Sequence, residues 1–184
     1  MHSAAILITP IGDMDPKLVD AVCRGVHQAF GLPSVSFSLL SDISFALDPA
    51  RGQYHSTRIL EKLAELAPPE TLRVLGITDV DLFIPILTYV FGEAQLNGRS
   101  AVISLHRLDD GPLYADAGDR LHARAVKEAI HELGHTFNLR HCKEKSCIMH
   151  YCRSIGDVDG KSDQLCRYCR ILLQDALKRE SQEK

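Results

Sequence analysis

The spacing of apolar positions divides the chain into alternating strands and helices. Ala4 to Thr9 is a short, nearly continuous apolar run that predicts a buried strand, closed by Pro10 and Gly12. Asp15 then offers an N-cap with Pro16 at the first helical position. Leu18, Val19, Val22, Val26 and Phe30 recur at helical spacing, and Gly31 supplies the stop. Val35, Phe37 and Leu39 alternate with Ser34, Ser36 and Ser38, the signature of a half-buried second strand. Ser56 is placed to cap a helix carrying Ile59, Leu60, Leu63 and Leu66 and ended by Pro68 and Pro69. Leu72 to Ile77 is a third strand, Tyr89 to Phe91 a short one, Asn97-Gly98 a turn, and Ser100 to Leu105 a clear strand. Leu108 to Gly118 has no period and reads as a loop. From Asp119 as cap, Leu121, Ala125, Ala129 and Ile130 interleave with Arg120, Arg124 and Lys127 in a long helix reaching Leu139. Ser162 or Asp163 starts a last helix with Leu165, Leu172, Leu173 and Leu177 on one face and Arg167, Lys178 and Arg179 toward water, before a frayed tail from Glu180. Strand, helix, strand, helix, strand predicts an α/β fold (α+β in some schemes), with a mostly parallel, twisted, mixed sheet and helices packed on it.

Composition narrows the class without changing it. The 184 residues are 45% hydrophobic and 24% charged, as for one domain with a sizeable core. A net charge of −3 gives no electrostatic footprint for nucleic acid. No run approaches the roughly 18 apolar residues of a membrane helix, and the apolar run near the start lacks the length and basic flank of a signal peptide. A cytoplasmic protein is expected. The short lead-in to the first strand leaves no room for an inhibitory propeptide.

The candidate chemistry lies between His131 and His141, H-E-L-G-H-T-F-N-L-R-H. His131 and His135, four apart on a helix, share one face and can bind one metal ion. Glu132 is placed to take a proton from a metal-bound water. His141 can reach the same ion only if the chain turns back, and Asn138 tolerates the left-handed backbone such a turn needs. Beyond them, Cys142 and Cys147, four residues between, and Cys166 and Cys169, two between, have the spacing of a closed four-cysteine zinc site. A reducing compartment would keep these thiols available for metal. Cys23 reads as a small buried hydrophobe. Cys152 lies between the two pairs and could replace one of the four, although the spacings favour the others.

The histidine motif resembles the H-E-x-x-H-x-x-G-x-x-H signature of the metzincin metalloproteases, with Asn138 in place of the glycine. Together with Met149 between the two cysteine pairs, and with Val74 to Leu105 upstream, it resembles the archaemetzincin branch, with one residue fewer than usual between Met149 and Cys166. The resemblance implies a single metalloprotease domain over 1–184. Residues 1–141 would form an N-terminal subdomain with the active-site helix at about 119–139. Residues 142–184 would form a zinc-stapled C-terminal subdomain. It also implies two zinc ions, one catalytic on His131, His135 and His141 and one structural on the four cysteines. Met149 would be the Met-turn floor beneath the histidines, and Ser100 to Leu105 an edge strand to which substrate peptide adds. Tyr151, placed two after Met149 as in the similar Met-turns of astacin-like and serralysin-like metzincins, is either a further metal contact or an ordinary packed tyrosine. His106, just past that strand, is a ligand, a rim residue or an ordinary exposed histidine. Asp79 and Asp81, a loop pair open to a calcium or catalytic reading, are expected to cap turns.

The implied reaction is peptide hydrolysis. Three neutral imidazoles leave a fourth position for water, whose pKa zinc lowers from about 15.7 to about 7. Aminopeptidase and internal cleavage stay equally open, and the partner is a peptide or protein. The competing reading is a non-catalytic, zinc-stabilised module for protein binding, against which the acid at Glu132 argues.

Overall fold

The computed structural model describes residues 5–112 and 116–182. A five-stranded sheet forms the frame, in the order β2-β1-β5-β8-β7. β1 (Ala5–Pro10) runs parallel to β2 (Ser34–Ser36) and β5 (Thr71–Thr78), β5 parallel to β8 (Ser100–Ser104), and β7 (Gly92–Ala94) closes the edge antiparallel to β8. A small second sheet joins β3 (Leu47–Asp48), β4 (Gln53–His55) and β6 (Leu82–Phe83). The helices are α1 (Pro16–Phe30), α2 (Ser56–Leu66), α3 (Ala117–Thr136), α4 (Ile155–Gly160) and α5 (Arg167–Gln182).

Alternate residues of the central strands serve opposite cores. Ile6, Ile8, Leu75, Ile77, Ala101 and Ile103 pack against α1, α3 and α5, whereas Leu7, Val74 and Val102 pack against α2 through Ile59, Leu60 and Leu63. This corrects one expectation. Every residue from Ser100 to Leu105 is buried, and β8 is an interior strand; its alternation records two covered faces. The edge strand is β7, and the predicted strand at Tyr89 to Phe91 shrinks to a single bridge from Val90 to Leu82. At the opposite edge β2 has only three residues, and its expected core face is open, with Val35 50% and Phe37 64% exposed.

The first helix forms as read. Asp15 accepts from the Lys17 N–H at 2.9 Å, and Gly31 closes the helix in the left-handed region at φ 67°. Other ends differ. Ser56 is the first residue of α2, not its cap, and its buried hydroxyl approaches Phe83 O (3.1 Å) and the Glu93 carboxylate (2.5 Å). Asp119 lies in the first turn of α3, which begins at Ala117; part of the predicted loop before it, residues 113–115, lies outside the described residues. The last helix starts at Arg167 and runs on to Gln182, through most of the tail expected to fray. Arg124, expected at the surface, is buried and donates to Asp159 (2.8 and 2.7 Å) and Leu108 O (2.8 Å), tying α4 and the loop after β8 to α3. Asp81, read as a turn cap, holds the Arg107 guanidinium at 2.7 and 2.6 Å, while His106 is exposed. One apolar core runs from β1 through Met149 to Ala176, so the C-terminal segment packs onto the same sheet as the rest.

Candidate active site

The site is built at the end of α3, where the helix stops and the chain reverses. Asn138 adopts φ 65°, and the reversal is closed by the Leu139 N–H donating to Gly134 O at 3.0 Å. His135 Nδ1 donates to Leu139 O (2.7 Å), and His131 Nδ1 donates to Ile148 O (2.8 Å). A carbonyl can only accept, so both protons sit on Nδ1 and both Nε2 lone pairs are free. Those two Nε2 atoms stand 3.2 Å apart. His141 completes the set: the ring centroids lie 4.8 to 5.4 Å from one another, and the ligand atoms of all three histidines fall within 4.8 Å.

This donor set fits a zinc ion. Zn–N bonds of about 2.0–2.1 Å in tetrahedral arrangement put neighbouring nitrogens about 3.3–3.4 Å apart, close to the spacing of His131 and His135. Burial, with the Lys161 ammonium and the neighbouring imidazoles, drives His131 well below its ordinary pKa; burial likewise lowers His135 to about 4 and also lowers His141. All three are neutral ligands at neutral pH.

Met149 lies wholly buried under α3, and a glycine makes that approach possible: a Cβ on Gly134 would stand 2.5 Å from Met149 Sδ. The segment is held in register by the Cys142 N–H donating to Met149 O at 2.9 Å, so the third histidine and the methionine share one anchor. Tyr151 packs on His141, ring centroids 4.9 Å apart.

Glu132 faces the cleft formed with β7. Here Gly92 leaves no space for a side chain, since a Cβ would lie 2.7 Å from Glu132 Cγ and 2.6 Å from Val102 O. Burial, reinforced by the Glu128 and Glu93 carboxylates and opposed by Lys161, lifts Glu132 well above the usual carboxylate range. The cleft has a volume of about 400 Å³ and runs between the loop from Ile84 to Phe91 and the segment from Tyr151 to Arg153. Glu93, Glu128, Lys161 and Gly92 had no distinguishing pattern in the sequence.

The four predicted cysteines also converge. Cys142, Cys147, Cys166 and Cys169 place their sulfurs within 4.8 Å of one another, with Cys142 and Cys166 at 3.8 Å. That is far from the roughly 2.05 Å of a disulfide and matches the edge, about 3.8 Å, of a tetrahedron with Zn–S bonds of about 2.3 Å. Burial raises Cys147 and Cys169, so the cluster would ionise fully only around a cation. Cys152 stands apart, its thiol directed to His150 O at 3.6 Å. Cys23 is half-buried against the first core.

Comparison with known proteins agrees with this geometry. Residues 28–175 match peptidase family M54. The archaemetzincin of Methanopyrus kandleri is 45% identical over 165 residues, covering 89% of this chain and 90% of that one. The crystal structure of archaemetzincin from the same organism superposes with a TM-score of 0.85 at 35% identity, covering 96% of each chain. A zinc-dependent peptidase from Methanocorpusculum labreanum superposes with a TM-score of 0.82 at 29% identity, over 91% of this chain and 99% of that one. With its histidine and cysteine groups set as such a fold requires, the chain belongs to the archaemetzincins, peptidase family M54, and is a zinc metallopeptidase.

Proposed function

We propose that the chain hydrolyses peptide bonds with Glu132 as general base and acid, at a zinc held by His131, His135 and His141. A second zinc, held by Cys142, Cys147, Cys166 and Cys169, is structural. The observation that carries the reading is the convergence of three neutral imidazoles, two of them fixed through Nδ1 by main-chain carbonyls, beside a buried carboxylate on the same helix. Zinc bound there would supply Lewis acidity and an acidified water.

This chain's residues supply the rest. Substrate peptide adds to the free edge of β7, which runs across Glu132. Glu132, its pKa lifted by burial, takes a proton from the attacking water and returns it to the leaving amine nitrogen. The segment from Ile84 to Phe91 gives the substrate an apolar wall beside that transfer, and Met149 supports the ligands from beneath. Tyr151, its ring tilted at 49° against that of His141, would add its hydroxyl to the metal's surroundings. Residues 142–184 act as a subdomain whose metal fixes the reversal that delivers His141. From the four cysteines gathered as metal ligands we infer a reducing, cytoplasmic setting.

The test is Glu132→Gln. It should lower peptide cleavage by about 10²- to 10⁴-fold while zinc content, by elemental analysis, is unchanged. Full activity, or loss of the histidine-bound zinc, would refute the role.

A further inference from the structure

Beyond Glu132 the cleft continues along α3 to Glu128, one helical turn earlier on the same face, beside Tyr89, Phe91 and Cys152. Glu128 is 3% exposed. Its Oε1 accepts from Lys161 Nζ at 2.9 Å, which leaves Oε2 as the oxygen available to the cleft that Glu128 lines. Lys161, with a side chain 1% exposed, does not line the cleft and sits behind the carboxylate. The pair therefore has a direction, with its cation in the protein and its anion at the wall. Stability does not account for it, because an apolar pair of similar size is commonly as stable as a buried ion pair. A carboxylate fixed at a cleft wall with one oxygen available is a ready acceptor for a charged donor, and such charge-assisted hydrogen bonds are the stronger kind.

We propose that Glu128, held in place by Lys161, determines specificity: it forms the floor of a subsite beside the scissile bond that takes a side chain ending in a cationic hydrogen-bond donor, lysine or arginine. Tyr89 and Phe91, edge to face at 5.6 Å, provide apolar wall for the aliphatic stem of such a side chain. The other charged side chains lining the cleft are Glu93, Glu132 and Arg153, so carboxylates outnumber basic side chains there, and the zinc proposed above would offset part of that negative charge at the histidine end. Arg153 is exposed at the rim, where its charge is screened. The inference rests on the peptidase reading above, since it assigns the side chain that flanks the bond to be cut.

The test uses binding, so that it does not depend on turnover. Zinc-loaded protein carrying Glu132→Gln is titrated by calorimetry with peptides blocked at both ends that differ at one position: lysine, leucine or glutamate. Lysine peptides should bind at least about tenfold more tightly than the other two. Adding Glu128→Gln should reduce that ratio to below about twofold, because the amide can keep its oxygen on Lys161 and turn a donor to the cleft. If that variant does not fold, Glu128→Leu with Lys161→Met removes both charges together and should likewise abolish the preference. Equal binding of lysine and leucine peptides, or a preference that survives loss of Glu128, overturns the proposal. A lysine preference that depends on Glu128 in a protein whose wild type cleaves none of these peptides would support the subsite and refute the peptidase reading instead.

Discussion

Replacing Gly134 by alanine sets two effects of known size against each other at the centre of the site. In a helix interior the change gains about 1 kcal/mol of propensity. Against it, the new Cβ would lie 2.5 Å from Met149 Sδ, 3.0 Å from Met149 Cε and 3.5 Å from Leu139 Cδ1. An unstrained contact is about 3.5–4.0 Å, so the overlap with sulfur exceeds about 1 Å. Met149 is wholly buried, and Leu139 lies in the turn that His135 holds through its carbonyl, so neither can retreat freely. Overpacking of this kind costs about 1–3 kcal/mol, leaving a net loss of roughly 0–2 kcal/mol. For a chain of this length, 1 kcal/mol corresponds to about 2–4 °C in Tm. A calorimetric melt should therefore show a fall of a few degrees. Because the carbonyl preceding Met149 orients His131, competition with a chelator should also show weaker binding at the histidine site and unchanged binding at the cysteines. A Tm that rises by about 2–4 °C, with metal affinity intact, would show that the methionine moves aside at no cost and is no fixed floor.

Three further outcomes are expected. Asn138→Gly should be neutral or stabilising by up to about 1 kcal/mol in a thermal melt, since Asn138 sits at φ 65° and glycine adopts that region without strain; a clear loss would show that the side chain is needed. The hydrogen bonds from Arg124 hold Asp159 below the usual aspartate range, so the pair's contribution is fully present above the unfolded pKa of about 4 and lost as pH falls through the lower folded value. As the Asp159 side chain is 48% exposed, this amounts to no more than about 1 kcal/mol, and urea melts at pH 7 and pH 3 should converge by that amount on Asp159→Asn. Cys169→Ser should remove the tightly held zinc and loosen α5, whereas Cys152→Ser should leave zinc content and circular dichroism unchanged; the opposite pattern would reassign the cluster.

How much was legible in the sequence depended on whether the physical cause was local. The first helix carries its stripe, its Asp15 cap and its Gly31 stop within seventeen residues, and all three formed. The histidine spacing and the left-handed turn at Asn138 were equally local, because helix geometry and backbone sterics fix them. The edge of the sheet was not local. Alternation in Ser100 to Leu105 looks the same whether one face meets water or each face meets a different helix, and only the placement of α2 decides between them. Val35 and Phe37 mislead in the other direction, with an alternating apolar pattern whose side chains stay 50% and 64% exposed. The second sheet has strands of two or three residues, too short to show a period. Charged residues read as surface by default, so Arg124, Glu128 and Lys161 gave no sign of their burial, which depends on partners 33 to 35 positions away.

The most direct test of two metal sites with different duties is a stepwise chelation of the zinc-loaded protein, following bound zinc, peptide cleavage and circular dichroism in the same sample. An ion held by three histidines would keep an open position where a chelator can attack, and one held by four cysteines would keep none. About one equivalent of zinc should leave first, cleavage should fall in proportion, and secondary structure should persist until a second equivalent is removed. Release of a single equivalent in total, or loss of structure together with the first, would contradict this division of duties.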